Sequence, residues 1–591
     1  MNARVSFFLK KLFFFIVCNL FSSVWAGTLP YFPIGIAQGG KSELLLVHKG
    51  LKQISVYSPD GQKFLRSFEL DGIPTGICVD GDKAYVTTFE AEGRLVILSL
   101  VSGKAEATIS TGSGACNPVL SPDKKRVYVC NQFQNTVSEI NIESRKVVRT
   151  VSVLREPRSV VFSKDGRYMF VTNFLPAQQA DLDYVAACVS VIEMGGYTKV
   201  KDIKLANGSN ALRGICITPD GKYIYVSHNL GRFTVPTSQL QQGWMNTSAF
   251  SIIDVQKQEF LGAVVVDEPE RGAAGIWSIL CNERSLFISH SGTHEVSVIA
   301  HQEMLDKFSS YPDKTVLDYD LTFLYGMRKR IPLQGNGPRC MTLIDDKLFI
   351  PTYFSDILNV MDVNTCEITA YNLNPEREET AENKGERLFN DASQCFQNWQ
   401  SCNGCHPGDA RTDGMNWDLM NDGVGNSKNC KSLLFSHKTP PNMISGIREH
   451  AELAVRAGFN FIQFFDVAEE DAVCVDAYLK ALRPVPSPYL VNGELSELAK
   501  KGKKVFEKLK CGECHGGVYY TDLKMHRIGD DIEFENGWDT PTLCEVWRTA
   551  PYLFDGRAAT MKEVFSVHKH GIEKRISEKE IDALTEYVNS L

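Results

Sequence analysis

Two pentapeptides carry residue types and a spacing that can do chemistry. Cys402-Asn403-Gly404-Cys405-His406 and Cys511-Gly512-Glu513-Cys514-His515 both read C-x-x-C-H. Two thiols one helical turn apart reach the two vinyl groups of one haem, and the adjacent imidazole then ligates the iron. With 17 cysteines and 12 histidines in 591 residues, roughly 0.01 such matches are expected by accident. The competing chemistry is a zinc or redox C-x-x-C followed by an incidental histidine. The expectation is two c-type haems, attached through Cys402, Cys405, Cys511 and Cys514, with His406 and His515 as proximal iron ligands.

Such motifs need helices to hold them, and the flanking sequence supplies them twice. Gly385-Glu386-Arg387-Leu388-Phe389 precedes the first motif and Gly502-Lys503-Lys504-Val505-Phe506 the second. A Thr-Pro step follows each, at Thr439-Pro440 and Thr540-Pro541. An apolar-periodic helix closes each copy, near 469–482 and near 578–591; Ser577 and Glu580 form a capping box for the latter. Pro484-Val485-Pro486-Ser487-Pro488 is a stiff connector between them. The pattern predicts two mainly α, cytochrome c-like domains, 380–483 and 490–591.

The region 27–375 has a different grammar. A Pro-Asp or Asp-Gly turn, a basic residue and an alternating β-branched and aromatic strand recur, most clearly at Ser121-Pro122-Asp123, Lys164-Asp165-Gly166 and Pro219-Asp220-Gly221. Weaker copies centre on Leu45, Tyr85, Phe287 and Phe349. A spacing of about 40 residues accommodates four strands, so each period is one blade of an all-β propeller, about seven blades with six or eight as alternatives. The wording is similar to YVTN-type propeller repeats over roughly 40–374. Insertions near 175–187, 231–247 and 302–330 lengthen the later blades. His228 and His290 each end a strand; they read as hydrogen-bonded rim residues rather than ligands.

Composition bounds the rest. The 63 Lys+Arg against 71 Asp+Glu leave a formal charge of −8, with no basic surplus to neutralise phosphates, which excludes general nucleic-acid binding. Residues 1–26 place Arg4, Lys10 and Lys11 before an apolar run from Leu12 to Phe21, with Val24 and Ala26 at the −3 and −1 positions. That is a signal peptide cleaved near Ala26, implying the periplasm or cell surface. A lipoprotein alternative would use Cys18, but Ile16-Val17 match it poorly. No other stretch is long and apolar enough to be a transmembrane segment. Cys78, Cys130, Cys188, Cys216 and Cys281 lie in apolar runs and read as core residues, whereas Cys395 and Cys430 flank the first motif and could pair.

Over 380–591 the chain resembles the bacterial di-haem cytochrome c peroxidase and MauG family. The resemblance rests on Cys514-His515-Gly516-Gly517, Tyr520-Thr521-Asp522, His526 and Gly529, then on Thr540-Pro541-Thr542-Leu543, Thr549-Ala550-Pro551-Tyr552, Asp555-Gly556-Arg557, Ala559-Thr560 and Glu563-Val564. The first copy matches more loosely, through Gly385, Leu388-Phe389 and Thr412-Asp413-Gly414. The family fold implies two facing haem domains, one reacting at an open sixth position and one relaying electrons between two protein ligands. It implies His568 as the sixth ligand of the second haem, with Met561, Met525 and His526 behind it. A His/His haem has a lower potential than a His/Met one. His437 and His450 are the histidines left to cap the first iron or act as an acid–base group, and Trp417 is the candidate aromatic between the haems. Calcium between the domains is a family cofactor, although no acidic loop here specifies it. Phe554 stands where the family has a histidine before Asp-Gly.

These readings converge on an exported di-haem oxidoreductase, peroxidase-like, taking electrons from a redox partner protein or small donor and passing them to a small-molecule oxidant or substrate. Peroxide, or a small nitrogen or sulfur compound, fits that role. The alternative is a non-catalytic electron-transfer protein with the propeller as docking module. A third reading makes the propeller catalytic and the haems its electron outlet. The sixth ligand of the first haem separates the first two.

Overall fold

The computed structural model describes residues 28–234, 245–419, 427–528 and 535–591. The proposed signal peptide 1–26, with Cys18 and the Ala26 cleavage position, lies outside them, as does Gly529. Among the described residues no helix is long and apolar enough to cross a membrane.

Residues 33–372 form seven antiparallel sheets in chain order, a seven-bladed β-propeller. All seven repeat centres fall on second strands, among them Arg126–Asn131, Tyr168–Asn173 and Tyr223–Gly231. These strands are buried on both faces, which explains their near-continuous apolar sequence. The turn before them is set by side chains. Ser121, Ser163 and Thr218 donate to Asp123, Asp165 and Asp220 at 2.6, 2.7 and 2.6 Å. The same carboxylates accept from the backbone of Lys125, Arg167 and Lys222, so the Asp-Gly wording encodes an Asx turn.

The strand ends repeat as well. Asn131, Asn173, His228 and His290 bond to Ser138, Ser190, Ser251 and Ser297 on the next strand, at 2.8, 3.0, 2.7 and 2.8 Å. His228 and His290 are fully buried, and their second ring nitrogens meet the carbonyls of Asn229 and Ala273. They are blade fasteners. Among the described residues the ring closes without a swapped strand. Thr28 bridges to Arg377, and the Asp356 carboxylate accepts from the backbone of Tyr31 and Phe32 while pairing Arg377 at 3.2 Å.

Beyond the propeller the chain builds one arrangement twice. Helix Ala381–Asn390 packs on Glu469–Ala481, and Glu497–Lys508 on Glu578–Asn589. Each crossing has a glycine: a methyl group on Gly385 would overlap the Cys474 carbonyl, and one on Gly502 the Ala583 carbonyl. Each also has an aromatic pair, Phe389–Tyr478 at 5.4 Å and Phe506–Tyr587 at 5.3 Å. The capping box of Ser577 and Glu580 is formed. One correspondence differs from the sequence expectation. Thr439-Pro440 matches Thr549-Ala550 rather than Thr540-Pro541, because the bridge Asn442–Arg448 matches Tyr552–Ala558. The position of Thr540 is taken by Cys430.

Candidate functional site

Each C-x-x-C-H motif lies on a short 3-10 turn, Cys402–Gly404 and Cys511–Glu513; the second directly follows its leading helix, whereas two further turns separate the first from Ala381–Asn390. The histidines that follow are oriented alike. His406 Nδ1 lies 3.1 Å from the Arg411 carbonyl and His515 Nδ1 3.3 Å from the Tyr520 carbonyl. An Nδ1–H donated to a carbonyl fixes the tautomer and leaves Nε2 basic, the arrangement a metal-ligating imidazole needs. Burial lowers the pKa of both imidazoles, which keeps them neutral. Two thiols one turn apart beside an oriented neutral histidine fit covalent haem attachment on either motif.

The two motif-bearing units meet reciprocally. The backbone N–H of Asn429 donates to Phe554 at 2.7 Å, and that of the equivalent Asp539 donates to Ile444 at 3.0 Å. Asn416 donates to the Asp555 carbonyl at 2.6 Å, while Met525, its counterpart, packs on Gly446. Equivalent residues exchanging equivalent contacts define a local pseudo-two-fold relation. Trp538 and Phe554 stack at this contact, with ring centroids 4.3 Å apart and planes 14° apart. Phe554, the departure from the family pattern, is thus part of an aromatic stack at the junction.

The units differ in the segment that follows the equivalent N-caps His450 and Thr560. The His570 ring centroid lies 6.3 Å from that of His515. Two imidazoles on either side of one iron, each with an Fe–N distance of about 2 Å, are separated by about that much. His568, two residues earlier, has its backbone N–H on Glu563. In the first unit the helix Ala451–Ala457 runs into a π-helical turn, Gly458–Ile462. Counting from the equivalent N-caps His450 and Thr560 puts Gly458 at the position of His568 and Asn460 at that of His570.

The other sequence candidates fall as follows. His437 is buried and sits 3.0 Å from Asp476, which Arg456 also holds, with Ser436 at its other nitrogen. His450 is an N-cap with a side chain 59% exposed. Trp417 is buried, donates to Asp413 at 2.9 Å and packs with Val185, Met245 and Met415, in contact with Cys405. Met561 belongs to the helical core of the second unit. His526 lies 2.8 Å from Asp522, with the Cys514 thiol beside both. Cys395 and Cys430 are separate thiols. Cys430 lies 3.5 Å from His406 Nδ1 and 3.2 Å from the Cys405 carbonyl, so a third thiol joins the first motif. Sequence reading missed His570, Trp538 and this role of Cys430, none of which carries a signal that the two copies share.

Both units sit on one rim of the propeller. Asn246 of the fifth blade donates to the Cys405 sulfur at 3.2 Å and packs closely on Gly404, where a Cβ would lie 3.0 Å from its amide nitrogen. Arg548 of the second unit reaches Glu156 of the fourth blade at 3.0 Å, and Trp547 packs on Phe133 of the third at 5.2 Å.

Comparison with known proteins gives these positions a context. The chain is similar to two subunits of one enzyme. It is 27% identical over 272 residues to the gamma subunit of hydrazine synthase from Kuenenia stuttgartiensis, covering 35% of this chain and 76% of that subunit. It is 26% identical over 216 residues to the beta subunit, covering 35% of this chain and 53% of that one. Antigen Lp49 of Leptospira interrogans is 25% identical over 239 residues, 38% of this chain and 50% of that protein. The chain thus spans about half of the latter two. A solved structure of Kuenenia stuttgartiensis hydrazine synthase superposes with a TM-score of 0.51 at 20% identity, covering 59% of this chain and 98% of that one, a likeness of fold. No protein-family profile matches the chain.

Proposed function

We propose that the protein is an exported di-haem oxidoreductase in which one haem relays electrons and the other reacts with a small molecule. Cys402, Cys405 and His406 would hold one haem, and Cys511, Cys514 and His515 the other. Covalently bound haem supplies one-electron redox chemistry at an iron whose potential and openness its ligands set. The observation that supports this reading is that the His570 ring stands 6.3 Å from that of His515, whereas the residue at the same count in the first unit, Asn460, is exposed on a π-helical turn.

His570 rather than His568 is our choice for the second ligand of the relay site, on the 6.3 Å ring separation. His515 is oriented by the Tyr520 carbonyl, and with a haem bound His515 and His570 would hold its iron and exclude outside ligands. At the first motif, the Arg411 carbonyl orients His406, while Asn246 contacts Cys405 and Gly404 and so holds the motif against the propeller. The Trp538–Phe554 stack lies at the junction where electrons would cross between units.

The substrate class follows from the relatives. Both hydrazine synthase subunits are similar to about a third of this chain each, so a small inorganic nitrogen compound is favoured over peroxide, the substrate implied by the peroxidase-type motifs. The test is stoichiometric. An alkaline pyridine spectrum should report two haems per chain, and one after Cys402→Ala/Cys405→Ala or Cys511→Ala/Cys514→Ala. Reduced protein mixed with hydroxylamine should reoxidise faster than with hydrogen peroxide. Zero haems would defeat the reading, and faster oxidation by peroxide would return the substrate to the peroxidase class.

A further inference from the structure

The first strands of neighbouring blades contact one another around the propeller axis. Most carry an irregularity at the same register, at Pro74/Gly76, Pro157/Ser159 and Ile276/Ile279 for example. The corresponding residue in blades two to seven is Thr75, Asn117, Arg158, Arg213, Trp277 and Arg339, with the Arg213 N–H bonding to Ser227 and Arg339 following the Pro338–Thr352 bridge. Three of the six are arginines. Nothing in a propeller requires arginine at that place, since Thr75 and Asn117 satisfy the same geometry by bonding to the backbone of the next blade, at Ala115 and Arg158.

The arginines converge through shared aromatic rings. Arg213 and Arg339 both stack on Trp277, each 4.4 Å from its centroid. Arg158 and Arg213 both lie over Phe174, at 4.2 and 5.5 Å. Tyr353 and Phe354 cover Arg339 at 4.0 and 4.7 Å. Aromatic faces thus hold the guanidinium planes, and the N–H edges are what remain for a ligand.

Counter-charge is unevenly distributed. Arg158 pairs with Glu156 at 3.3 Å, and Asp409 lies among Lys49, Arg548, Arg411 and Arg158. Arg213 is 8% exposed, and its bonds go to the carbonyls of Ala211 and Ile276 at a long 3.4 Å. Arg339 donates to the neutral Asn390 at 3.1 Å and its buried Nε has no partner; the acid near it, Glu386, accepts from the Tyr353 hydroxyl at 3.3 Å and is shared with Lys49. Burial, with Arg339 and Arg158 nearby, depresses the Arg213 pKa to about 9. A guanidinium remains charged in proteins, so the physical remedy for that repulsion is a bound anion.

We propose that the mouth of the propeller channel binds one small oxyanion between Arg213 and Arg339. Two guanidinium forks offer paired N–H donors to planar or tetrahedral oxygens. Asn390 of the first motif-bearing unit bonds to Arg339 and bounds the site on that side.

The test uses the full chain and inorganic probes. Calorimetric titration with sodium sulfate, sodium nitrate and sodium formate, at ionic strength held constant with chloride, should give one site per chain. Sulfate or nitrate binding more tightly than formate identifies an inorganic ion; the reverse order identifies a small carboxylate. Arg213→Gln and Arg339→Gln should each weaken binding tenfold or more while circular dichroism and the melt in chloride stay those of the folded chain. Unchanged affinity in both variants, or no heat above the chloride control, overturns the proposal. Should the variants fail to fold, selenate soaked into crystals of the unaltered protein decides it: an anomalous peak between Arg213 and Arg339 supports the site, and its absence there overturns it.

Discussion

At His515, Nδ1 faces a carbonyl and the ring of His570 stands 6.3 Å away. The account therefore predicts that His570→Ala converts one haem from low-spin to high-spin, while His568→Ala leaves the spectrum unchanged; visible absorption of the oxidised variants reads it directly. The propeller makes a separate claim at this scale. Burial lowers the pKa of His228 to about 4 and that of His48 and His290 to about 3. The unfolded chain binds these protons near pH 6.5 and the folded chain does not, so stability is full above that pH and is lost as pH falls. Each histidine costs about 2 kcal/mol between pH 7 and pH 5. Asn131 and Asn173 fill the corresponding place in blades three and four. His228→Asn should therefore fold at pH 7 and lose less stability at pH 5, measured by urea midpoints at both values.

Among the elements, the two helix crossings show sequence and packing in opposition. Alanine improves helix propensity over glycine by about 1 kcal/mol. A methyl on Gly502 nevertheless meets the Ala583 carbonyl oxygen, backbone that no rotamer change relieves. Gly502→Ala should destabilise the chain by about 1–3 kcal/mol net, seen as a lower urea midpoint; a gain would mean the helices separate freely. These glycines were legible from sequence as paired signatures ahead of the motifs. So were the second strands of all seven blades, because a strand buried on both faces writes itself as an apolar run, opened in the clearest copies by an Asx turn. The match of Thr439 to Thr549 was hidden, since local Thr-Pro wording outweighed an equivalence that only the bridges Asn442–Arg448 and Tyr552–Ala558 reveal. His570 was hidden for a similar reason: two histidines two residues apart carry the same local signal, and only the path of the chain after the Met561–Ser566 helix separates them.

Across the whole molecule, buried ion pairs tie the parts together. Arg548 bridges Glu156 of the propeller at 3.0 Å and Glu545 at 3.6 Å, while Glu545 meets Arg411 of the first unit at 2.8 Å. Removing one member leaves a buried charge without its partner, at a cost of about 3–5 kcal/mol. Arg548→Met should lower the urea midpoint, and adding Glu156→Leu should restore much of the loss; equal midpoints for the single and double variants would show that the pair does not couple the parts. The central claim, one closed and one open iron on a duplicated frame, is tested most directly by low-temperature EPR of the purified protein, oxidised and then half-reduced. The account predicts a low-spin signal that His570→Ala abolishes, together with a high-spin ferric signal in one of the two states that persists in His437→Ala and His450→Ala. Two low-spin irons in both states would contradict it and make the protein an electron carrier.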